Sequence, residues 1–347
     1  MQTIFFYKSS LLFSLIFFLL LPYDPNNDND PATSCNTYFY ALTTTETIRS
    51  HAYDIFKYRK SISFQRPIPV LSDFNLKTGN ASLEFVKSTA DLDRGIIVYQ
   101  IAHALDLVEF DITTQTIVET TKNPMTDGFY PEYMNGNLFF LRIAPFTYDS
   151  HNDIGIAELT VKDLNANVIA FGSLDFSNSG FKFNLSASST SNSIDKTYYL
   201  CNTSLLIYDN NTQNFSISQL EDFDAATNAV YYTGVEYVDD DTLYALRADI
   251  ANNEVDLVKI DISSSPAAVK ALTRLKDLSI QAADLVNNIN FIKSGFDSCD
   301  NSYYFTYADT HNGGEPLIVE VKQGNYPLTE YTFSANQGNL IYSLEVF

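Results

Sequence analysis

A polar residue followed by a burst of Leu, Ile and Val returns roughly every fifty residues along the chain. Asp106-Leu-Val-Glu-Phe-Asp-Ile-Thr-Thr is the clearest copy, and Asp256-Leu-Val-Lys-Ile-Asp-Ile-Ser-Ser nearly repeats it. Gly155-Ile-Ala-Glu-Leu-Thr-Val, Ser204-Leu-Leu-Ile-Tyr-Asp and Pro316-Leu-Ile-Val-Glu-Val are looser copies, with drift absorbed in the loops. Around each phrase lie short β-branched and aromatic runs bounded by Asn, Asp, Ser and Thr clusters, the pattern of strands joined by polar hairpins. Four strands per unit, labelled A to D from the inside outward, account for the period.

In the fifth unit A is 230–238, B 242–247, C 256–262 and D 269–275. The second gives 83–87, 96–101, 107–112 and 116–121. The third gives 130–134, 138–143, 154–161 and 168–174. The fourth gives 181–186, 197–201, 204–208 and 215–220, and the sixth 290–295, 303–307, 317–321 and 328–333. The first unit offers 37–42, 52–58 and 61–65 but no inner strand. A lone strand at 339–347 supplies the missing piece, so the C-terminal strand is expected to join the first unit and remove the open edge. The predicted fold is all-β, a six-bladed β-propeller closed in this way, with a short helix near 279–286.

Composition refines this picture. The chain has 23 Tyr, 26 Phe and no Trp, and its net charge is −21. That charge argues against nucleic acid as a partner, because phosphate binding needs a basic surface; solubility and mutual repulsion explain it. Residues 1–23 pair a lysine flank, Lys8, with an apolar run of the length of a signal peptide or N-terminal membrane anchor. Residues 24–34, Asp- and Asn-rich, are expected to be a disordered tether. The domain at 35–347 is then extracytoplasmic: periplasmic, cell-surface or secreted. It would be a monomer that meets a membrane only through its N-terminal segment. Sequons at Asn80, Asn184, Asn202, Asn210 and Asn214 are read as chance occurrences in an Asn-rich chain.

The three cysteines divide. Cys35 follows the tether and does not precede it, and Ala32 replaces the Leu usual three residues before a lipidated cysteine. Lipidation is therefore the less expected state. Ser34-Cys-Asn-Thr-Tyr-Phe-Tyr resembles Ser298-Cys-Asp-Asn-Ser-Tyr-Tyr, which places Cys35 and Cys299 before equivalent strands. Equivalent points on neighbouring units usually lie beyond the roughly 7 Å that a disulfide tolerates. Separate cysteines are the expectation, with a bridge the alternative. Cys201, at a strand end, should be a free and buried thiol.

The strand B motif Leu243-Tyr-Ala-Leu246 and the strand C motif Leu257-Val-Lys-Ile-Asp261 resemble those of β-propeller repeats of the non-WD kind, the NHL and YVTN families, in exported bacterial proteins. The resemblance covers nearly everything after Cys35 and implies a blade, with no catalytic residue attached.

No Gly-rich phosphate loop, Gly-x-Ser-x-Gly elbow or His-Glu-x-x-His occurs, which lowers the odds of nucleotide, serine-hydrolase or zinc-protease chemistry. The four histidines, His51, His103, His151 and His311, fall between strands B and C. Asp149, Asp153 and Asp309 lie beside two of them. His151, Asp153, His311 and Asp309 are the weak metal candidates, although ligands on distant units could not converge on one ion. The inner strands are more polar than a closed core requires. Glu84, Glu132, Tyr133, Lys182, Tyr232, Glu236 and Lys293, with Lys87, are candidates to face a central channel able to hold a small polar ligand or Ca²⁺. Tyr130, Tyr133, Phe146 and Tyr148 are candidates for an exposed aromatic patch.

The leading expectation is a non-catalytic binding scaffold for an unknown protein or small polar ligand. The alternative is a hydrolase or lactonase-like propeller enzyme with a divalent metal in the channel.

Overall fold

The computed structural model describes residues 37–43, 52–60, 68–75, 87–91, 93–100, 106–122, 128–143, 156–162, 168–175, 188–201, 203–221, 229–275, 278, 280–287, 289, 292–308, 316–332 and 341–346. The chain divides into two units, Met1–Ser34 and Cys35–Phe347, and all described residues belong to the second.

Strand B of the fifth sheet shows why these residues make strands. Tyr244, Leu246 and Ala248 pack into one apolar cluster while Leu243 and Ala245, pointing the other way, pack into another. Successive side chains of a strand alternate between faces, so a strand covered on both faces must read as a continuous apolar run. The first cluster reaches Tyr303, Phe305 and Val319 of the next sheet, and the second reaches Tyr198, Leu200 and Leu205 of the preceding one. Each such buried side chain contributes about 1.5–3 kcal/mol. The recurring phrase in the sequence is therefore a record of sheets stacked face to face.

Six four-stranded antiparallel sheets lie among the described residues, in a β-propeller-like arrangement. The second sheet is β4 (Lys87–Asp91), β5 (Ile96–Gln100), β6 (Asp106–Asp111) and β7 (Thr116–Lys122). The third is β8 (Gly128–Met134), β9 (Asn137–Ile143), β10 (Ile156–Lys162) and β11 (Val168–Asp175). The fourth is β12 (Ser188–Ser191), β13 (Lys196–Cys201), β14 (Ser204–Asp209) and β15 (Asn214–Gln219). The fifth is β16 (Val230–Asp239), β17 (Thr242–Asp249), β18 (Glu254–Asp261) and β19 (Ala268–Arg274). The sixth is β20 (Ser294–Asp297), β21 (Ser302–Ala308), β22 (Pro316–Lys322) and β23 (Leu328–Thr332). In the first sheet, β1 (Tyr38–Thr43), β2 (Ala52–Arg59) and β3 (Ile68–Asn75) are joined by β24 (Ile341–Val346), paired antiparallel to β1. A short helix, α1 (Ala282–Asn287), buries Ala282 and Leu285 in the cluster between the fifth and sixth sheets.

The middle and outer strands agree with the sequence reading to within a few residues. The exception is the outer strand of the first sheet, expected at 61–65 and found at Ile68–Asn75. Inner strands shift more. The second runs from Lys87, not 83–87; the fourth is Ser188–Ser191, not 181–186; the sixth is Ser294–Asp297, not 290–295. These strands are Lys-Ser-Thr-Ala, Ser-Ser-Thr-Ser and Ser-Gly-Phe, and a search for apolar runs passes over them.

Strand ends are written in Asp and Asn. Asp111 accepts from the backbone N–H groups of Thr113 and Thr114, Asp209 from Asn211 and Thr212, Asp249 from Asn252, and Asp261 from Ser263. Asn192 Oδ1 takes three such bonds, from Ile194, Asp195 and Lys196. These are Asx turns, in which the side chain replaces a backbone acceptor. Backbone donors hold the Asp111 carboxyl below its usual range, and the Ser263 hydroxyl and N–H do the same for Asp261. A good part of the negative charge is thus spent on turns.

The first and sixth sheets are latched by polar contacts. Lys60 Nζ binds Asp300 and Glu320 Oε1 (2.5 Å) and donates to Tyr304 Oη (2.9 Å), while Thr37 Oγ1 donates to Asp297. Tyr331 Oη adds a 2.6 Å bond to Glu320. Burial alone would lower the Lys60 pKa, but the bonds to Asp300, Glu320 and Tyr304 outweigh it and hold the ammonium charged. This seam corrects the expectation of separate cysteines, because Cys299 is disulfide-bonded. The seam brings the 297–300 turn within bonding reach of Thr37, two residues from Cys35. Cys35 itself lies outside the described residues. Cys201 is a buried thiol outside any disulfide, as expected.

Replacing Lys60 with Met should leave Glu320, 4% exposed, as a buried carboxylate without its cation. Breaking one side of such a pair costs roughly 3 kcal/mol. Urea unfolding would read this as a lowered midpoint at unchanged slope. A change below 0.5 kcal/mol, the surface-substitution range, would remove the latch from the account.

Candidate functional site

The inner strands follow one another around an axis. β4 packs on β8, β8 on β12, β12 on β16, β16 on β20, β20 on β24, and β24 on β4. Between them lies a cavity of about 380 Å³, to which all six strands contribute. That size suits a small organic molecule or several waters.

Hydrogen bonds between adjacent inner strands fix what faces this cavity, and they recur. Ser189 Oγ donates to Glu132 Oε1 at 2.5 Å, Ser294 Oγ donates to Glu236 Oε1 at 2.6 Å, and Ser88 bonds Glu345. In each case a serine on one sheet holds the glutamate of the sheet before it. The backbone repeats the relation: Tyr133 N–H donates to Thr89 Oγ1 at 3.3 Å, and Tyr237 N–H to Thr190 Oγ1 at 3.1 Å. Thr89 and Thr190 are therefore equivalent, and so are Glu132 and Glu236. Where the third such threonine would stand is Gly295. A Cβ there would come within 2.3 Å of Val346 Cγ2, so the strands approach too closely for any side chain.

Three glutamates thus alternate with serine-bearing strands, and two lysines, Lys87 and Lys293, precede two of those serines. Burial dominates their protonation. It pushes the Glu132 carboxyl up to about 8, against the opposing Ser189 bond and the Lys87 charge. Glu345 is pushed up to about 7, opposed by Ser88, and Glu236 goes well above the carboxylate range with the Glu132 and Glu345 charges adding to the effect. Desolvation lowers Lys87 to about 8, with Glu132 pulling it back, and takes Lys293 well below the usual range. Lys87 Nζ also lies 5.0 Å above the Tyr130 ring. The arrangement can recognise charge and exchange protons near neutrality.

Of the sequence candidates, Glu132, Tyr133, Glu236 and Lys293 line the cavity, as does Lys87. Tyr232 does not: it is 1% exposed and packed between the fourth and fifth sheets, because a bulge between Thr233 and Glu236 breaks the alternation of β16 and leaves Tyr232 on the apolar side. Tyr130 and Tyr133 are 1% and 6% exposed, which removes them from an exposed patch. Both are stacked into the seams beside β8, and Tyr133 belongs to an apolar cluster with Ile96 and Phe140. Glu84, Lys182, Phe146, Tyr148, His51, His103, His151, His311, Asp149, Asp153 and Asp309 lie outside the described residues. Among the described residues no group of three or more His, Cys, Asp or Glu side chains is placed to hold a metal.

The reading missed Glu345 and the serines. Their signal was available as a short alignment: Pro131-Glu-Tyr133, Val235-Glu-Tyr237 and Leu344-Glu-Val346 on one set of strands, Lys87-Ser88, Ser188-Ser189 and Lys293-Ser294 on the other.

Neither a family model nor a curated protein matches the sequence. Among solved structures, the chain is similar to one in a crystal structure of a nidogen/laminin complex, with TM-score 0.52 and 9% identity over 90% of this chain and 98% of that one. An apo AztD structure from Citrobacter koseri aligns with TM-score 0.44 and 9% identity, over 91% and 98% of the two chains. A luciferin-regenerating enzyme aligns with TM-score 0.43 and 14% identity, over 77% and 84%. The nidogen/laminin likeness shows the class of fold, a β-propeller, and at that identity shows the fold alone.

Glu345 makes the cost of the buried charges measurable. Between the unfolded value of 4.5 and about 7, the folded chain keeps a proton that the unfolded chain releases, so its contribution to stability falls as pH rises through that window. Above it the full cost remains, about 1–2 kcal/mol once solvation from the cavity is allowed for. Glu345→Gln should therefore raise the melting temperature by a few degrees at pH 8 and leave it unchanged at pH 4.5. Equal melting of the two proteins at both pH values would mean that Glu345 is fully solvated.

Proposed function

We propose that this chain is a six-bladed, non-WD β-propeller whose axial cavity binds a small polar ligand without transforming it. The single observation behind the binding reading is the set of three glutamates and two lysines aimed into one cavity at a desolvation cost. A ring that needed only to be stable would line its axis with neutral polar groups, since buried charges cost free energy unless something repays them. Support for a closed ring comes from the pairing of β24 with β1 and from its packing against both β20 and β4. In this reading the protein is exported, with residues 1–23 as signal or anchor, 24–34 as tether, and the propeller working as a monomer outside the cytoplasm. A bridge from Cys299 to Cys35 would suit that compartment and would leave no thiol for lipidation.

The competing reading is an enzyme of the hydrolase or lactonase type with a channel-bound divalent ion such as Ca²⁺. One thermal-shift titration of residues 35–347 separates them. A panel of small polar molecules (amino acids, amines, sugars, carboxylates) is set beside Ca²⁺, Zn²⁺ and EDTA. Binding only the folded state at a hundred times the dissociation constant adds about 2.7 kcal/mol, which is visible in a domain of this size. A shift from an organic compound, lost in Glu132→Gln, supports the binding reading. A shift from metal that EDTA reverses moves the case to the enzyme, and no shift at all overturns the channel as a site.

Closure makes its own prediction. Removing residues 340–347 should lower the melting temperature far more than removing residues 1–34, because only the first deletion exposes β1 as an open edge. Similar melting of the two truncated proteins would sink the closed-ring model.

A further inference from the structure

The hydrogen bonds between inner strands divide the axis into three repeats of two strands: β4 with β8, β12 with β16, and β20 with β24. Their equivalences place Lys87, Ser188 and Lys293 at one position. Ser189–Glu132 and Ser294–Glu236 are the same contact one repeat apart, so the residues before those serines correspond, and the Thr89 and Thr190 bonds fix the third member. Two repeats carry a lysine at this position and the third carries a serine. Lys87 and Ser188 each face the following glutamate strand. Lys87 lies over Tyr130 with Glu132 near its charge, and Ser188 Oγ accepts from the backbone N–H of Val235, the residue before Glu236.

The exchange of lysine for serine has two consequences beside Glu236. It leaves a carboxyl group that, among the described residues, takes one hydrogen bond, from Ser294 Oγ, and has no ammonium or guanidinium beside it to hold it ionised; the charges acting on it are those of Glu132 and Glu345. It also opens the cavity where a four-carbon side chain and its ammonium would have lain. On this side the wall is hydroxyl- and amide-bearing throughout, from Ser188 to Ser193.

We propose that a small primary amine binds in the channel at the position of the missing third lysine, with its ammonium held between the hydroxyl of Ser188 and the Glu236 carboxyl, which gives up its proton to form the ion pair. This names the ligand class for the cavity and rests on the binding reading above. The chemistry favours an ammonium over other cations. A primary ammonium has three donors for carboxylate and hydroxyl acceptors, whereas a divalent metal needs several carboxylates converging on one point. Among the described residues no such group exists. Glu236 keeps one oxygen available, since the serine bond engages only Oε1.

The test uses residues 35–347 and n-butylammonium, the lysine side chain as a free molecule, followed by thermal shift and calorimetry. Sodium chloride at equal ionic strength, tetramethylammonium and 1-butanol serve as controls. Saturable binding of butylammonium, absent for the three controls, is expected. Glu236→Gln should weaken it at least tenfold. Ser188→Lys should abolish it while raising the melting temperature, because the tethered ammonium then fills the site; this second variant must fold better than the parent, so loss of binding there is not loss of structure. Equal shifts from butylammonium and sodium chloride, or binding unaffected by both substitutions, would overturn the amine site. If a non-amine from the wider panel bound in the channel while butylammonium did not, the amine proposal would fail and the binding reading would survive. Silence across the whole panel would end both.

Discussion

A sheet covered on both faces by other sheets has very few places for a polar side chain. Its middle strands are closed on either side, as Leu243 to Leu246 demonstrate by feeding two separate apolar clusters with alternate residues. Polar groups can stand at the outer strand, in the turns, or along the inner edge that faces the axis. The rest of the molecule follows from that restriction. Turns take the aspartates, the outer strand β19 has no buried residue, and the axis collects glutamate, lysine and serine. Charge at the axis is conspicuous because the fold could have put it elsewhere at no cost.

The same restriction explains how much the sequence discloses. Strands such as β6, β14, β17, β18 and β22 could be placed from their residues because burial on two faces forces continuous runs of Leu, Ile, Val and Tyr. Inner strands obey the opposite rule. β12 is Ser-Ser-Thr-Ser, with no apolar residue to mark it, and a pattern search slides onto the nearby Phe181 and Phe183. β8, β16 and β24 were legible because their other face is buried and carries Tyr130, Val235 or Leu344. The site was half-legible for the same reason. Glu132 and Glu236 sit inside recognisable strands, whereas their serine partners belong to strands that look like loops. Which candidate residues face the axis depends on strand register: a bulge between Thr233 and Glu236, at Gly234 with its positive φ, leaves Tyr232 in the core and puts Glu236, four residues on, in the cavity.

The seam between the sixth and first sheets draws on a different set of interactions. Between the fifth and sixth sheets the seam is an extended apolar cluster that includes α1; between the sixth and first it is smaller, built on Phe39, Tyr304, Ile318 and Leu344. Lys60, Asp300, Glu320 and Tyr331 supplement it. Apolar contacts are tolerant of small shifts in register, while a lysine bound to two carboxylates is not, because its misplacement leaves Glu320 buried and unpaired. A polar latch at this seam therefore selects one alignment of β1 against the sixth sheet and, through β1, one register for β24. That register sets the position of Glu345, and hence the third glutamate of the axis.

The axial charges can then be understood as an unfinished pattern. If the three repeats were identical, three ammonium groups would alternate with three carboxylates, each carboxylate also held by the serine of the next strand, and the axis would be neutral and closed to ligands. Two features break the pattern, and both lie along the axis. Gly295 stands where the other repeats have threonine, drawing β20 against β24 so that Val346 would clash with any larger residue. Ser188 stands where they have lysine, on the other side of the cavity. The first change tightens one seam and the second empties another. The carboxyl at the emptied seam, Glu236, is driven toward its protonated form by burial and receives none of the compensation its counterpart Glu132 has from Lys87. A lysine at position 188 would supply that compensation from within the chain; in the proposal above, the ammonium of a bound amine supplies it from outside.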